Sequence, residues 1–245
     1  MRKVLGRIWL IWAAIIFVGF FLITYPLLLI WLSHPRLYRI AHWQRRIWGM
    51  FISVFALLIP WVTYEEKIPK GRRIIYCANH ASYLDILTCG SYLPGFNFFM
   101  AKQELSKVPL FGLWFRTIDI PVERGSITKS YRAFESASKQ FDNGIDMVIF
   151  PEGRIPANRP KLAPLKAGAF KLAIEKGALV VPVTLPDNHA RFPDGPWIAT
   201  PGIMRCHVHR AIDTVGLKPE DVPELRNQVF TIIANQLEKY GVSQS

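Results

Sequence analysis

The chain has 245 residues, which suffices for one α/β domain with an additional segment and is short for two domains. Its residues are 51% hydrophobic with a mean hydropathy of +0.18, values that are high for a freely soluble protein and indicate contact with lipid. Its three cysteines, Cys77, Cys89 and Cys206, are too few and too scattered for a disulfide framework or a zinc site.

The positive charge is concentrated near the N-terminus. The formal net charge is +12, and residues 1–70 hold nine Lys and Arg residues against two acidic ones. A basic rim beside apolar segments favours an anionic bilayer surface. It would equally suit phosphorylated substrates or an acidic carrier protein. The sequence has no nucleic-acid recognition motif, so we expect no nucleic-acid partner.

Two apolar runs precede the rest of the chain. Residues 8–33 contain no charged side chain and are numerous enough to span a bilayer. The run is too long for a signal peptide, and no cleavage site of small residues follows it. A second run covers residues 47–64 and is interrupted by Pro60.

The positions of the arginines indicate how these two runs are arranged in the membrane. Basic residues flank both ends of the first run, and the connector between the runs is rich in arginine, which opposes a simple two-span topology. A hairpin that dips into the cytoplasmic leaflet keeps every arginine at the headgroups. We therefore predict a membrane-embedded two-helix hairpin over residues 1–68, at the inner (cytoplasmic) membrane with the active site facing the cytoplasm. A single anchor helix is the alternative.

Residues 69–245 are predicted to form one α/β domain. Short apolar runs alternate with amphipathic ones, which indicates a mostly parallel sheet flanked by helices on both faces. Strands are predicted at residues 72–78, 97–101, 118–122, 147–150, 179–183 and 205–209, and helices at residues 84–92, 126–143, 166–176 and 223–241.

A histidine and an aspartate follow the first strand of this domain. His80 and Asp85 lie in the sequence Asn-His-Ala-Ser-Tyr-Leu-Asp, where residues five apart do not share a face of a regular helix. They can meet if His80 lies in the strand-to-helix turn and Asp85 in the first helical turns. Open α/β sheets bind ligands at this edge. The carboxylate would orient the imidazole as a base, and a structural histidine is the alternative.

Three later features strengthen the catalytic interpretation. Arg124 ends a strand, where its guanidinium suits a phosphate, although it could equally pair with a surface acid. Glu152 and Gly153 follow a buried strand, where they could also form an ordinary turn. The segment Val181-Pro182-Val183 is predicted as a strand whose proline favours an edge or cavity mouth, and it could also be simple core.

The order of these motifs, NHxxxxD, a strand-end arginine, FPEG and a VPV strand, resembles the glycerolipid acyltransferase family, typified by bacterial 1-acyl-glycerol-3-phosphate acyltransferases. The resemblance covers about residues 70–200, and the N-terminal segments resemble that family's membrane hairpin. It implies that His80 is the general base and Asp85 its partner. It implies acceptor binding by Arg124, with Lys102 a second candidate.

The resemblance also assigns the remaining motif residues. Glu152 and Gly153 would help to hold the acceptor, and Val181, Pro182 and Val183 would line the acyl chain. The family continues FPEG with Thr-Arg-Ser, whereas this chain has Arg154-Ile155-Pro156, so the charge near the acceptor headgroup is altered. Arg154 is therefore a further acceptor-binding candidate.

The resemblance implies acyl transfer from acyl-CoA or acyl carrier protein to the sn-2 hydroxyl of lysophosphatidate in the membrane, giving phosphatidate, without a metal or cofactor. This function has three alternatives, of which one stays open and two are disfavoured. Another acceptor, such as glycerol phosphate or a lyso-aminolipid, is compatible with the departure after FPEG. A non-enzymatic lipid-binding protein is disfavoured by the intact motifs. A serine hydrolase is disfavoured because the sequence has no GxSxG elbow.

Overall fold

The computed structural model describes residues 2–108, 111–123, 127–195 and 197–244. The helices are α1 (Arg2–Leu32), α2 (Tyr38–Phe55), α3 (Leu84–Tyr92), α4 (Ile127–Asp142), α5 (Gly168–Lys176), α6 (Asn188–Arg191) and α7 (Val222–Lys239). The strands are β1 (Leu58–Tyr64), β2 (Ile74–Ala78), β3 (Asn97–Lys102), β4 (Ile120–Val122), β5 (Asp146–Ile149), β6 (Leu179–Thr184), β7 (Gly202–Val208) and β8 (Ile212–Asp213). Short 3₁₀ helices cover Pro35–Leu37, Gln103–Lys107, Phe111–Arg116 and Pro219–Asp221.

The strands of the described residues form one sheet in the order β1-β7-β6-β2-β5-β3-β4, with β8 beside β6. Strands β2 to β6 pair in parallel, as strands joined by crossover helices do. Strand β7 is antiparallel to β6 and parallel to β1. The predicted α/β fold with a mostly parallel sheet flanked by helices is confirmed.

Helices cover both faces of the central strands, which explains why β2 and β6 are buried along their whole length. On one face, Cys89 of α3 and Leu93, directly after α3, pack against the side chains of β2 and β6. On the other face, Ala133 of α4, Phe170 of α5 and Ile233 of α7 share one apolar cluster. The carboxyl ends of β2, β5 and β6 therefore lie together at one edge.

Pro182 lies in the interior of the sheet, and the prediction of an edge position for it is wrong. Strand β6 lies between β2 and the pair β7 and β8. The Pro182 carbonyl accepts a hydrogen bond from the His209 N–H at 3.0 Å, at the break between β7 and β8. A strand residue directs its nitrogen and its carbonyl to the same side, so the donor that proline lacks faces this break in the ladder.

The second apolar run is only partly helical. Its first part completes α2, and its second part is β1, which pairs with β7 from Leu58↔Gly202 to Tyr64↔Val208. The run is therefore not one membrane-inserted helix. Strand β1 is at the edge of the sheet, where Pro60 is tolerated. The proposed division of the chain at residue 68 stays a prediction.

Arg45 of α2 packs against the domain, with its side chain only 11% exposed, instead of facing lipid headgroups, which corrects the prediction for the connector arginines. Its guanidinium pairs with the Asp119 carboxylate at 3.0 Å and donates to the Asn97 carbonyl at 2.7 Å. It also lies over the rings of Phe99 and Trp114. Removing one partner of such a buried pair costs about 3–5 kcal/mol because the other charge is left unpaired.

Helices α1 and α2 contact each other through aromatic side chains. The ring centroids of Phe17 and Trp48 are 4.5 Å apart, and those of Phe20 and Phe51 are 3.9 Å apart. Within the described residues one helical segment, Lys3–Leu32, is long and apolar enough to cross a membrane.

Gly49 is predicted to control how closely α2 packs on α3. A Cβ at Gly49 would overlap the Ser91 hydroxyl and lie 3.1 Å from the Ser91 Cβ, whereas a Cβ at Gly19 meets nothing within 4 Å. Gly49→Val should therefore lower the free energy of unfolding in detergent by roughly 1–3 kcal/mol through overpacking, and Gly19→Val should not. Equal unfolding midpoints for the two variants would contradict this close packing.

Candidate active site

Asn79 joins the ends of two neighbouring strands. Its amide donates to the Leu185 carbonyl at 3.1 Å, and its side-chain oxygen accepts from the Leu185 N–H at 2.7 Å. Asn79 directly follows β2, and Leu185 directly follows β6. This two-way bond holds the loop that contains His80 against the neighbouring strand end.

The Asp85 carboxylate organises the turn between β2 and α3. It has no exposed surface, and its Oδ2 accepts hydrogen bonds from the Ala81 and Ser82 N–H groups at 2.7 and 2.8 Å. Its Oδ1 accepts from the Asn188 amide at 2.9 Å. A buried polar group is stable only when it has such hydrogen-bond partners. The first turn of a helix also favours a negative charge.

The His80 imidazole lies between Asp85 and Phe150. Its Nδ1 is 3.0 Å from Asp85 Oδ2, and since a carboxylate only accepts, Nδ1 carries the proton. The ring stacks on Phe150 with centroids 4.2 Å apart and an interplanar angle of 18°. The structure thus brings His80 and Asp85 together in the strand-to-helix turn, and Nε2 is the nitrogen that remains for a substrate.

Glu152 is buried and contacts the backbone of His80. Its two oxygens accept from the His80 N–H at 2.6 Å and the Ala163 N–H at 2.8 Å. Burial raises the pKa of Glu152 to about 7, against the opposing effect of these two N–H groups. Gly153 has a φ of +78°, and a Cβ there would lie 2.7 Å from Lys166 Nζ. The two residues shape the loop after β5.

A cavity of about 530 Å³ opens beside His80. This volume is in the range of small-molecule sites. Its apolar wall includes Met100, Ile149 and Phe134, and its cationic side chains are Lys102 and Lys166. A larger depression of about 710 Å³ lies near Asp119 and Gln140, but it lacks a histidine. The chemistry of the lining, not its volume, therefore identifies the site.

The predicted acceptor-binding cations have different positions. Lys102 lines the cavity and pairs with Glu104 at 3.2 Å. Arg154 is exposed on the loop after β5, where the neighbouring Ile155 lines the cavity. Arg124 lies outside the described residues. Its role as a phosphate ligand stays a prediction.

The structure does not bring the VPV strand to this cavity. Val181, Pro182 and Val183 lie in the middle of β6, where both faces of the sheet are covered, and β6 supplies none of the described residues that line the cavity. The apolar wall comes from β3, β5 and α4 instead. A role of these three residues in acyl-chain binding stays a prediction.

Sequence reasoning missed two residues of the site. Asn188 is fully buried and binds both Asp85 and the Thr88 hydroxyl, at 2.9 and 3.1 Å. Lys166 reaches the cavity over Gly153. Asn188 lies 103 positions from Asp85, so no local spacing could indicate the contact. The pattern Lys-Ala-Gly at residues 166–168 was the available indication for Lys166.

The chain matches the family model described as Acyltransferase over residues 60–186. This span is just over half of the chain and includes His80, Asp85 and Glu152. The chain therefore belongs to the acyltransferase family, a class of enzymes that transfer acyl groups.

Three relatives match this chain over about three quarters of its length. The 1-acyl-sn-glycerol-3-phosphate acyltransferase of Haemophilus influenzae is 26% identical over 76% of this chain and 75% of its own length. An uncharacterized acyltransferase of Schizosaccharomyces pombe is 29% identical over 72% of this chain and 66% of its own. A Chlamydomonas reinhardtii 1-acyl-sn-glycerol-3-phosphate acyltransferase is matched over 56% of its length. The chain thus spans only part of these relatives.

The fold has a solved counterpart. The crystal structure of the 1-acyl-sn-glycerophosphate (LPA) acyltransferase of Thermotoga maritima superposes with a TM-score of 0.81 over the whole of both chains, at 24% identity. At this identity the comparison establishes the fold alone.

The raised pKa of Glu152 predicts a pH-dependent stability. Burial favours the neutral carboxyl, so its contribution is present below the ordinary pKa of 4.5 and is lost as the pH rises through about 7. The loss is on the order of 3 kcal/mol. Glu152→Gln, which does not titrate, should therefore gain stability relative to wild type from pH 5 to pH 8, as measured by unfolding midpoints.

Glu224→Gln is the matched control, because Glu224 is exposed on α7. It should follow the wild-type pH dependence. If Glu152→Gln follows it as well, Glu152 does not titrate in this range.

Proposed function

We propose that the protein transfers a fatty acyl group from acyl-CoA or acyl carrier protein to the sn-2 hydroxyl of lysophosphatidate, giving phosphatidate. The observation that carries the proposal is the His80–Asp85 pair at 3.0 Å, beside a cavity with one apolar wall and two lysines. Membership of the acyltransferase family and the activity for which several relatives are named support it.

In the proposed reaction His80 acts as a general base. Its Nε2 takes the proton of the acceptor hydroxyl while the oxygen attacks the thioester carbonyl. The tetrahedral intermediate then collapses, the C–S bond breaks, and the leaving thiolate takes the proton back from Nε2. Asp85 stabilises the imidazolium and fixes the tautomer in between. Such base catalysis contributes about 10²–10⁴ in rate.

Basic side chains around the cavity would hold the acceptor phosphate. Lys102 and Lys166 line the cavity, and the ammonium group of each is a point charge suited to a phosphate. Arg124 is proposed as a further phosphate ligand. Glu152 and Gly153 act on the acceptor indirectly, because Glu152 binds the backbone of His80 and Gly153 leaves space for the Lys166 side chain.

A different acceptor is the second candidate, and Ile155 is the observation that favours it. Ile155 lines the cavity at the position where the family pattern has an arginine, and Arg154 is exposed beside it. An apolar side chain there reduces the charge available to a phosphate monoester. A lyso-aminolipid, which has no phosphate monoester, therefore belongs in the acceptor panel, and glycerol phosphate is included there as the other alternative acceptor.

We further propose that α1 and α2 together enter the cytoplasmic leaflet of the inner membrane. Five apolar residues of α2 recur every three or four positions on its exposed face: Ile40, Trp43, Ile47, Met50 and Val54. The opposite face of α2 carries Arg45 and packs on the domain. A helix with one docked and one apolar exposed face is suited to lie in the membrane interface.

His80→Ala should abolish acyl transfer. Purified protein in detergent micelles would be supplied with palmitoyl-CoA or palmitoyl-acyl carrier protein and with lysophosphatidate, glycerol phosphate or lysophosphatidylethanolamine. We expect ester formation to fall at least 10²-fold, because the base is removed. Product is measured by mass spectrometry.

His34→Ala is the matched control, because His34 is exposed and distant in sequence from the site. It should retain full activity. If His80→Ala is as active as wild type, His80 is not the general base. Preference for a lyso-aminolipid over lysophosphatidate would select the second candidate.

Labelled cysteines test the membrane arrangement. The native cysteines are buried, so a fluorophore that responds to polarity can be attached at Ile47→Cys in α2, Ile23→Cys in α1 or Val215→Cys in the domain. In liposomes we expect blue-shifted emission and quenching by nitroxide lipids at the first two positions, and neither effect at Val215. Quenching only at position 23 would instead support a single anchor helix.

A further inference from the structure

A second cluster of ionisable groups lies on the side of β6 that is opposite to β2, on and directly after strands β1 and β7. Glu65 follows β1, His207 is in β7, and His209 follows β7. The Glu65 Oε1 atom is 3.2 Å from His207 Nε2 and 2.9 Å from His209 Nδ1. None of these residues lines the cavity beside His80. The parallel pairing of β1 with β7 brings them together, because it places Thr63 opposite His207.

The two imidazoles are oriented by hydroxyl groups on their far sides. The Thr63 hydroxyl is 2.8 Å from His207 Nδ1, and the Thr184 hydroxyl is 2.9 Å from His209 Nε2. Each ring therefore directs its other nitrogen toward the same Glu65 oxygen. Metal-binding histidines generally have such a second hydrogen bond, which sets the tautomer and the ring orientation.

The spacing of the ligand atoms fits a small divalent ion. Ligands about 2.0–2.1 Å from a tetrahedral zinc ion lie about 3.3 Å from one another. The observed separations of 3.2 and 2.9 Å from Glu65 Oε1 are close to this value, and all the ligand atoms lie within 4.8 Å of one another. Small side-chain shifts would suffice to admit an ion.

Hydrogen bonds without a metal would also explain the contacts of Glu65 with the two histidines. That arrangement requires the opposite imidazole tautomers from those of a metal-bound site. Without a metal, both imidazoles donate to the Glu65 carboxylate, and the threonine hydroxyls donate to the far nitrogens. With a metal, the far nitrogens donate to the same hydroxyls, which accept equally well. The structure can therefore exchange one state for the other through proton positions, without breaking the Thr63 or Thr184 contacts.

We infer that Glu65, His207 and His209 form a binding site for Zn²⁺ or a similar divalent transition metal, with an open fourth position toward solvent. Two imidazoles and one carboxylate are a ligand set that zinc accepts. The Glu65 side chain is 36% exposed, which leaves access for the ion and a water ligand. The family resemblance implied no metal, and no local spacing indicates this site, because strand pairing brings together ligands 142 positions apart. Such an ion would tie the edge strand β1 to β7.

Zinc titration of the full chain in detergent tests the site, using Zn²⁺ alone with a competing indicator and Co²⁺ as a spectroscopic probe. We expect one Zn²⁺ per chain, a tetrahedral Co²⁺ absorption spectrum, and a rise in the unfolding midpoint on adding Zn²⁺. Glu65→Gln and His207→Ala should weaken binding at least 100-fold. Thr63→Val should weaken it roughly tenfold, because it removes only the orienting hydroxyl.

Glu66→Gln and His34→Ala are the controls, since both change an exposed residue of the same type outside the cluster. They should bind Zn²⁺ as wild type does. Unchanged affinity in Glu65→Gln and Thr63→Val would place the ion elsewhere and overturn the inference. The same holds if wild type binds no Zn²⁺ at micromolar concentration. The readout is metal binding, so either result is independent of the acyl-transfer proposal.

Discussion

The Asp85 carboxylate is the group on which the rest of the candidate site depends. A carboxylate with no exposed surface must be surrounded by donors, and Asp85 receives hydrogen bonds from the backbone of Ala81 and Ser82, from His80 and from Asn188. The backbone bonds determine the shape of the turn after β2, and the Asn188 bond attaches α6 to α3. The orientation of the His80 ring follows from these contacts.

Buried polar groups at the neighbouring strand ends also need hydrogen-bond partners. Glu152 holds the backbone of His80 and the loop near Ala163, and Asn79 holds the segment after β6. Each buried polar group thus joins two segments that are far apart in the chain. Such a network holds the proposed catalytic groups in place before substrate binds, so the proposed reaction would need little reorganisation.

Helix α2 connects this site to the proposed membrane surface. One face of the helix is attached by the pair Arg45–Asp119, and the other presents apolar side chains such as Trp43 and Ile47. Asp119 also accepts the Phe99 N–H at 2.9 Å, directly next to Met100 in the cavity wall. In the proposed arrangement, the docking of α2 therefore sets how the cavity meets the bilayer.

The sequence by itself indicated the alternation of strands and helices and a strand-to-helix turn in which His80 can meet Asp85, because period and local spacing follow from backbone geometry within a few residues. Only the tertiary structure decided contacts that depend on sheet order and register. It made residues 58–64 an edge strand, placed Pro182 at a break inside the sheet, and brought Asn188 to Asp85. These contacts join segments that are distant in the chain and form only when the sheet and its helices assemble, so no local pattern indicates them.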